Sequence, residues 1–225
     1  MNFGYTLDPG YVIEHLFELG HGLLLTIYLL IVGCAGGTAL GLLGGAARAY
    51  RIRYIGRAIG AAVEFIRATP LFVQIFFIYF GLPELGIQLS ANATACVSLV
   101  IWSAAYNTEN FRAAFETVPH GLVEAADALG LKRDQTMLTI ILPLAVRIAM
   151  PSLTNTAIET LKNTALMVAI SFGELTTTAI DLVSVSFRVF EIFILIAVIY
   201  LLLGTALSRA ALAIEHRLRL PTHNA

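Results

Sequence analysis

EAADALGLKRDQTMLTIILP, residues 124–143, opens as a polar helical stretch in a chain that is otherwise strongly apolar. Val118, Leu122, Ala125, Ala126 and Leu129 recur at helical spacing and predict one apolar face on a helix over about 118–130. Thr117 is placed to cap its start, with Pro119 in the first turn. Gly130 can adopt the left-handed conformation that ends a helix. The adjacent alanines, Ala125 and Ala126, permit close approach of a partner surface, and Glu124 can pair with a basic group on it.

The remainder of the chain sets the solvent. Of 225 residues, 58% are hydrophobic and only 13% are charged, about half the ~25% of a soluble domain. Such a chain needs lipid around it. A net charge of −1 gives no reason to expect a nucleic acid partner. Cys34 and Cys96 lie inside apolar runs and read as small buried side chains rather than a disulfide or a metal site. Met1 is not followed by a basic segment, and the first apolar run is too long for a signal-peptide core, so no signal peptide is expected.

About 20 apolar residues carry a helix across a bilayer. Five such spans are predicted, at about 22–47, 58–82, 88–108, 148–172 and 191–210. The fold class is therefore an all-α membrane protein with five transmembrane helices. Residues 1–21 mix Tyr11, Val12, Leu16 and Leu19 with Glu14 and Glu18, which suits an interfacial helix; a role in receiving a partner stays open. Residues 216–225 form a tail. Basic residues orient the spans. Arg48, Arg51, Arg53 and Arg57 follow the first, Arg112, Lys132 and Arg133 separate the third from the fourth, and Arg209, Arg217 and Arg219 end the chain. Residues 1–21 and the turn near Pro83 have no lysine or arginine, and the segment between the last two spans has only Arg188. The N-terminus is thus expected outside, with the C-terminus and residues 118–130 in the cytoplasm.

Polar residues inside the spans need a reason to be there. Ser152, Asn155, Glu159 and Lys162 are spaced by three, four and three, so they share one helix face, flanked by Thr156 and Asn163. An ionised side chain at the centre of a membrane helix costs about 2.5–3.5 kcal/mol on insertion scales. The stripe must face a cavity, a partner helix or itself. A transport pathway near the midplane and a Glu159–Lys162 pair joining helices both satisfy that demand. Glu64 and Arg67, at i,i+3, likewise fit a pathway or a buried ion pair. Pro70 cannot donate to the carbonyl of Ile66. Gly33, Gly37, Gly41 and Gly45 form a ladder suited to close helix packing. Glu109 and Arg112 are expected to pair at the inner end of the third span.

Residues 124–143 fill every fixed position of E-A-A-x3-G-x9-I-x-L-P. In this they resemble the cytoplasmic signature of permease subunits of bacterial ABC importers. EFIRATPLFVQ (64–74) and LKNTAL (161–166) resemble stretches of the polar amino acid subfamily, which handles histidine, glutamine, arginine and opines. The resemblance implies a type I permease fold over 22–215, in the bacterial inner (plasma) membrane. It implies that Glu124, Ala125, Ala126, Leu129 and Gly130 belong to a coupling helix that meets an ATPase. It places Lys162, Asn163 and Thr164 at a substrate site. The implied partners are a second permease chain, identical or paralogous, two ATP-binding subunits, and a periplasmic or lipid-anchored binding protein. ATP and Mg would sit on the partner ATPase, and the substrate would be a polar amino acid or an opine-like derivative.

Some chemistry has no residues to support it. No G-x-x-x-x-G-K-[ST] loop exists, and neither Lys132 nor Lys162 fits one, so no ATPase activity and no cofactor are expected in this chain. His15, His21, His120, His216 and His223 form no spaced ligand set, so no metal site is expected. No H-E-x-x-H or G-x-S-x-G motif falls in a span. Two other functions remain. An ATP-independent secondary transporter or channel would be favoured by an inverted repeat, yet no motif occurs twice. A non-substrate-binding partner subunit of a heteromeric permease would have no need of the charged stripe. Which amino acid is carried is not fixed by these residues.

Overall fold

Between Leu16 and Ala49 only Glu18 and Arg48 carry charge and no proline occurs, so nothing stops a helix once it begins. In the computed structural model, which describes residues 9–50 and 54–218, this run is one helix of 34 residues, α2 (Leu16–Ala49). A break at His15 separates it from the short α1 (Pro9–Glu14). This corrects two expectations. The first long helix begins at Leu16 rather than Gly22, and residues 9–21 are not one interfacial helix, because Leu19 is already buried against other elements. Residues 1–8, Arg51, Arg53, Arg219 and the rest of the tail to residue 225 lie outside the described residues.

The remaining elements are α3 (Ile55–Ala68), α4 (Leu71–Phe76), α5 (Ala91–Thr117), α6 (His120–Ala128), α7 (Arg133–Thr136), α8 (Leu142–Asn163), α9 (Leu175–Ser186) and α10 (Val189–Leu218). A π turn (Phe77–Gly81) and a 3-10 turn (Leu82–Leu85) extend α4, and a 3-10 turn (Thr164–Ile170) extends α8. All regular structure among the described residues is helical.

The glycine ladder packs α2 directly on α5. A Cβ added at Gly41 would come within 2.9 Å of the Asn107 backbone, and one at Gly45 within 2.9 Å of the Arg112 backbone. Gly33 faces Leu99 and Gly37 faces Ser103 in the same way. Both sets of residues rise together, so α2 and α5 are parallel. The chain between them must therefore return across the bundle, and α3 with α4 makes that return. α8, with the π turn before it, then runs antiparallel to α5, packing Ile141 of that turn and Ala145 and Ala149 of α8 against Phe111, Ala114 and Phe115 of α5 and its C-cap Val118. A third cluster joins Leu19 of α2 to Leu175, Ala179 and Leu182 of α9 and to Ile192 and Ile196 of α10.

Three stretches are long and apolar enough to cross a membrane: Leu16–Ala49, Arg133–Ile170 and Val189–Glu215. A fourth is α3 with the α4 segment if that bent pair counts as one. The expected continuous span at 58–82 is broken, with a 106° bend between Ile55–Ala68 and Leu71–Leu85. Pro70 is the cause. It biases the preceding residue away from helix, and Thr69 is extended at φ −109°, ψ 143°. The helix expected at 148–172 starts earlier, because Pro143 fits in the first turn of α8 after a π turn at Met137–Ile141. The last helix runs through residue 218, into what was expected as tail. At 27 residues α5 is long enough to cross, but it carries buried Thr94, Ser98, Ser103, Asn107 and Thr108 and does not reach the apolarity of the others.

Filling the α2–α5 seam should cost stability. Gly41→Val is expected to lower the thermal unfolding midpoint of the detergent-solubilised protein, at a cost of about 1–3 kcal/mol from overpacking. Gly20 meets open space, so Gly20→Ala should leave the midpoint unchanged or raise it.

Candidate functional site

Two features stand apart from the packed core. The first is α6. Pro119, extended at φ −60°, ψ 127°, occupies its N-cap position. Thr117 does not cap it: its hydroxyl donates to the Ala113 carbonyl at 2.8 Å and so closes α5. A threonine hydroxyl in a helix can always reach the carbonyl one turn back, and here that partner wins. The C-terminal end follows expectation. Gly130 has φ +73°. Its N–H donates to the Asp127 carbonyl at 3.0 Å, and the Leu131 N–H donates to the Ala126 carbonyl at 3.1 Å, which is a Schellman closure. The expected single apolar face is split. Val118 and Ala126 are buried, whereas Leu122 and Leu129 are exposed, Leu129 at 80%. Glu124 and Ala125 are exposed beside them. One side of α6 thus holds the helix on the chain, and the other presents Leu122, Ala125 and Leu129 with a carboxylate.

The second feature is an open groove between the α3–α4 break, α5 and α8. The break exposes backbone, and the sequence supplies its own repair. The Gln74 side-chain amide donates to the Ile66 carbonyl at 2.8 Å and to the Thr69 carbonyl at 3.1 Å. Thr69 donates to the Phe65 carbonyl at 2.9 Å. So the acceptor that Pro70 cannot serve is satisfied from across the bend. Against this fixed corner lies a cavity of about 540 Å³, lined by Arg67, Thr69, Trp102, Tyr106, Glu159, Lys162 and Asn163 among others. A neighbouring cavity of about 430 Å³ is lined by Arg48, Glu64, Arg67, Tyr106 and Glu109 among others.

Of the two arrangements that the sequence leaves open for the groove charges, the structure takes the unpaired one. No Glu64–Arg67 ion pair and no Glu159–Lys162 ion pair forms among the described residues. The Arg67 guanidinium instead lies over the Tyr106 ring, 5.1 Å from its centroid, where the ring quadrupole attracts it. Ser152 and Asn155 are exposed on the same helix as Glu159 and Lys162 but line neither cavity. Thr164 is buried, with its hydroxyl on the Leu161 carbonyl at 2.7 Å, and does not reach the groove. The expected Glu109–Arg112 pair does form, and it is part of a chain of charges. Arg48 pairs with Glu109 at 2.5 Å, and Arg112 also pairs with Glu116 at 2.5 Å.

Trp102 and Tyr106 in the groove were not anticipated; they sit in a helix with no motif, and only the low apolarity of α5 hinted at them. Glu174 was also missed. It is fully buried and caps α9, accepting the N–H groups of Thr176 at 2.9 Å and Thr177 at 2.8 Å, and the Tyr200 hydroxyl at 3.1 Å. Glu174 followed by Thr176, Thr177 and Thr178 in a run without other charge was the available signal.

Helices built for lipid around a charged, open groove describe an integral membrane permease. Residues 37–220 match the family described as binding-protein-dependent transport system inner membrane component, and the chain belongs to that family. It is 36% identical over 201 residues to the glutamine transport system permease protein GlnP of Escherichia coli (strain K12), covering 88% of this chain and 92% of the relative. It is 35% identical over 207 residues to the probable glutamine ABC transporter permease protein GlnP of Bacillus subtilis (strain 168), covering 91% and 95%. Among solved structures, the crystal structure of an amino acid ABC transporter with histidines superposes with a TM-score of 0.86 at 32% identity, covering 95% of this chain and 100% of that one. An inward-facing MetNI methionine ABC transporter superposes with a TM-score of 0.77 at 20% identity, covering 92% and 99%, which speaks for the fold. The fold is thus the type I permease fold, the chain is an inner-membrane permease, and its relatives are permease subunits rather than ATPases.

The corner at Pro70 depends on Gln74. Gln74→Leu keeps the size and removes the donor, leaving the Ile66 and Thr69 carbonyls short of a partner. It should destabilise the protein by about 1–3 kcal/mol, read as a lower thermal midpoint in detergent.

Proposed function

We propose that this chain is the membrane subunit of an ATP-driven importer of a polar amino acid or an opine-like derivative. The observation that carries the reading is the pairing, in one permease, of a capped exposed helix at 120–130 with a groove holding Arg67, Glu159, Lys162 and Asn163. Glutamine and amino acid permeases among the relatives support the substrate class. The family supports an ATPase and a substrate-binding protein as partners. A second permease chain, identical or paralogous, completes the groove, and ATP with Mg resides on the ATPases. The chain crosses the inner membrane five times, with the N-terminus outside; α3 with the α4 segment forms the second crossing, α5 the third, and α8 with its 3-10 extension the fourth. The parallel packing of α2 on α5 supports this alternation.

In this reading Glu124, Ala125, Ala126, Leu129 and Gly130 form the surface that an ATPase grips. ATP binding draws the two such helices of the complex together, and the motion passes through Val118 and Ala126 to α5 and α8. The groove opens outward to take substrate from the binding protein, and hydrolysis returns it inward. Arg67 and Lys162 suit a carboxylate, and Glu159 and Glu64 suit an ammonium group.

Gly130→Val would force a β-branched residue to φ +73°. The protein should still insert, but uptake and the stimulation of ATPase by loaded binding protein should both be lost. Uptake at the wild-type rate would refute the coupling role. In a chain lacking Cys34 and Cys96, Lys132→Cys should react with a membrane-impermeant maleimide only from the cytoplasm, and Asp181→Cys only from outside; both positions are exposed. The reverse pattern would overturn the topology.

A further inference from the structure

We propose that the groove holds two successive positions for a zwitterionic amino acid, a first at Lys162 and Glu159 and a second at Glu64, with Arg67 serving both and the Tyr106 ring dividing them. The proposal rests on the importer reading above and adds a handover inside the groove. The two cavities are adjacent, because Arg67, Ala68 and Tyr106 belong to the lining of each. At about 540 and about 430 Å³, both fall in the range of roughly 300–1,000 Å³ usual for small-molecule sites. Each has room for an amino acid with some of its water.

The charges separate in a way that suits passage. At the first position Lys162 and Glu159 make no ion pair with each other, so a cation and a carboxylate are both available. At the second, Arg48 and Glu109 already satisfy one another, which leaves Glu64 as the available carboxylate. An ionised group in a span is retained only where it faces a partner or a polar space. A substrate ammonium group supplies that partner to Glu64. Between the two positions lies Arg67. Its guanidinium makes no salt bridge among the described residues and rests on Tyr106. A guanidinium fork binds a carboxylate in two parallel contacts. It sits on a long, rotatable stem, so it can keep hold of a substrate carboxylate while the ammonium group passes from Glu159 to Glu64. Leaving the ring and returning to it closes each handover. Tyr106 is thus a positioning residue for Arg67.

The test uses the complete complex of this permease, its ATPase and its binding protein in liposomes. A panel of radiolabelled amino acids first identifies one that the wild type imports with ATP. Import of none would sink the importer reading, and this proposal with it. Equilibrium binding of that amino acid to the solubilised permease–ATPase complex, without binding protein, then reads occupancy of the groove, while uptake reads passage through it. Lys162→Met is expected to weaken binding about tenfold or more, the loss of one charge-assisted contact. Glu64→Gln is expected to keep binding within about twofold and to slow uptake about tenfold, with Glu64→Asp recovering much of the rate. Arg67→Lys keeps the charge but loses the fork and the stack, and it should weaken both readouts. Tyr106→Ala should slow uptake, and Tyr106→Phe, which keeps the ring under Arg67, should recover much of the rate. Loss of binding in Glu64→Gln as large as in Lys162→Met would mean one site and overturn the proposal. Wild-type uptake by Glu64→Gln would also overturn it. Should Glu64→Gln fail to assemble, Arg67→Lys decides alone: wild-type binding and uptake in that variant would overturn the shared role.

Discussion

In lipid the hydrophobic effect does not draw helices together, since acyl chains are as apolar as leucine. Association must come from close contact and from polar groups that find each other. α2 and α5 have both. Gly33, Gly37, Gly41 and Gly45 remove the side chains from one edge of α2, so the backbones approach until no Cβ would fit between them. At that distance the Asn107 amide reaches Thr38 at 3.3 Å. On the other flank, Asn110 donates to Thr156 of α8 at 3.0 Å. The seam fixes α5 in place, α5 carries Trp102 and Tyr106 into the groove, and the continuation of α5 carries Val118 to the base of α6. A change in the seam is therefore felt at both features.

The groove exists because one helix is broken where a continuous one would have filled it. A straight helix over 58–82 would run past α5 with its charges turned to whatever lay beside it. The bend at Pro70 turns Arg67 and Thr69 into a corner facing α8. Keeping a bend in apolar surroundings requires that freed carbonyls be answered, and Gln74 answers two of them. The same run of residues thus supplies the break, its repair and a functional charge.

How much of this was legible depends on whether the deciding contact is local. Gly130 could be read because a Schellman closure is built from neighbours in sequence. The Glu109–Arg112 pair could be read because it spans one helical turn. A membrane protein followed from the apolar runs, and its class from the resemblance of residues 124–143 to the signature of importer permease subunits. The bend was only half legible: Pro70 marks a break in the run, but its angle and the extended Thr69 show only in the backbone. The missing Glu64–Arg67 pair followed from Tyr106, 39 positions beyond Arg67 by the difference of their numbers. The split face of α6 followed from Phe115 and Ile141, which claim Val118 and leave Leu122 and Leu129 outside. Nothing in the sequence of α6 ranks those apolar residues.

The polarity of α5 bears on how the chain is made. α5 is long enough to cross but falls below the apolarity of Leu16–Ala49, Arg133–Ile170 and Val189–Glu215, so its polar side needs a partner that lipid does not supply. Its buried Ser103 and Asn107 are acceptable only beside the glycine edge of α2. That edge emerges earlier during synthesis and is waiting when α5 arrives. For the third crossing proposed for this chain, residues 33–45 are thus a surface already made when residues 99–111 follow. A bulky residue in that edge would leave Ser103 and Asn107 without the close neighbour their polarity requires.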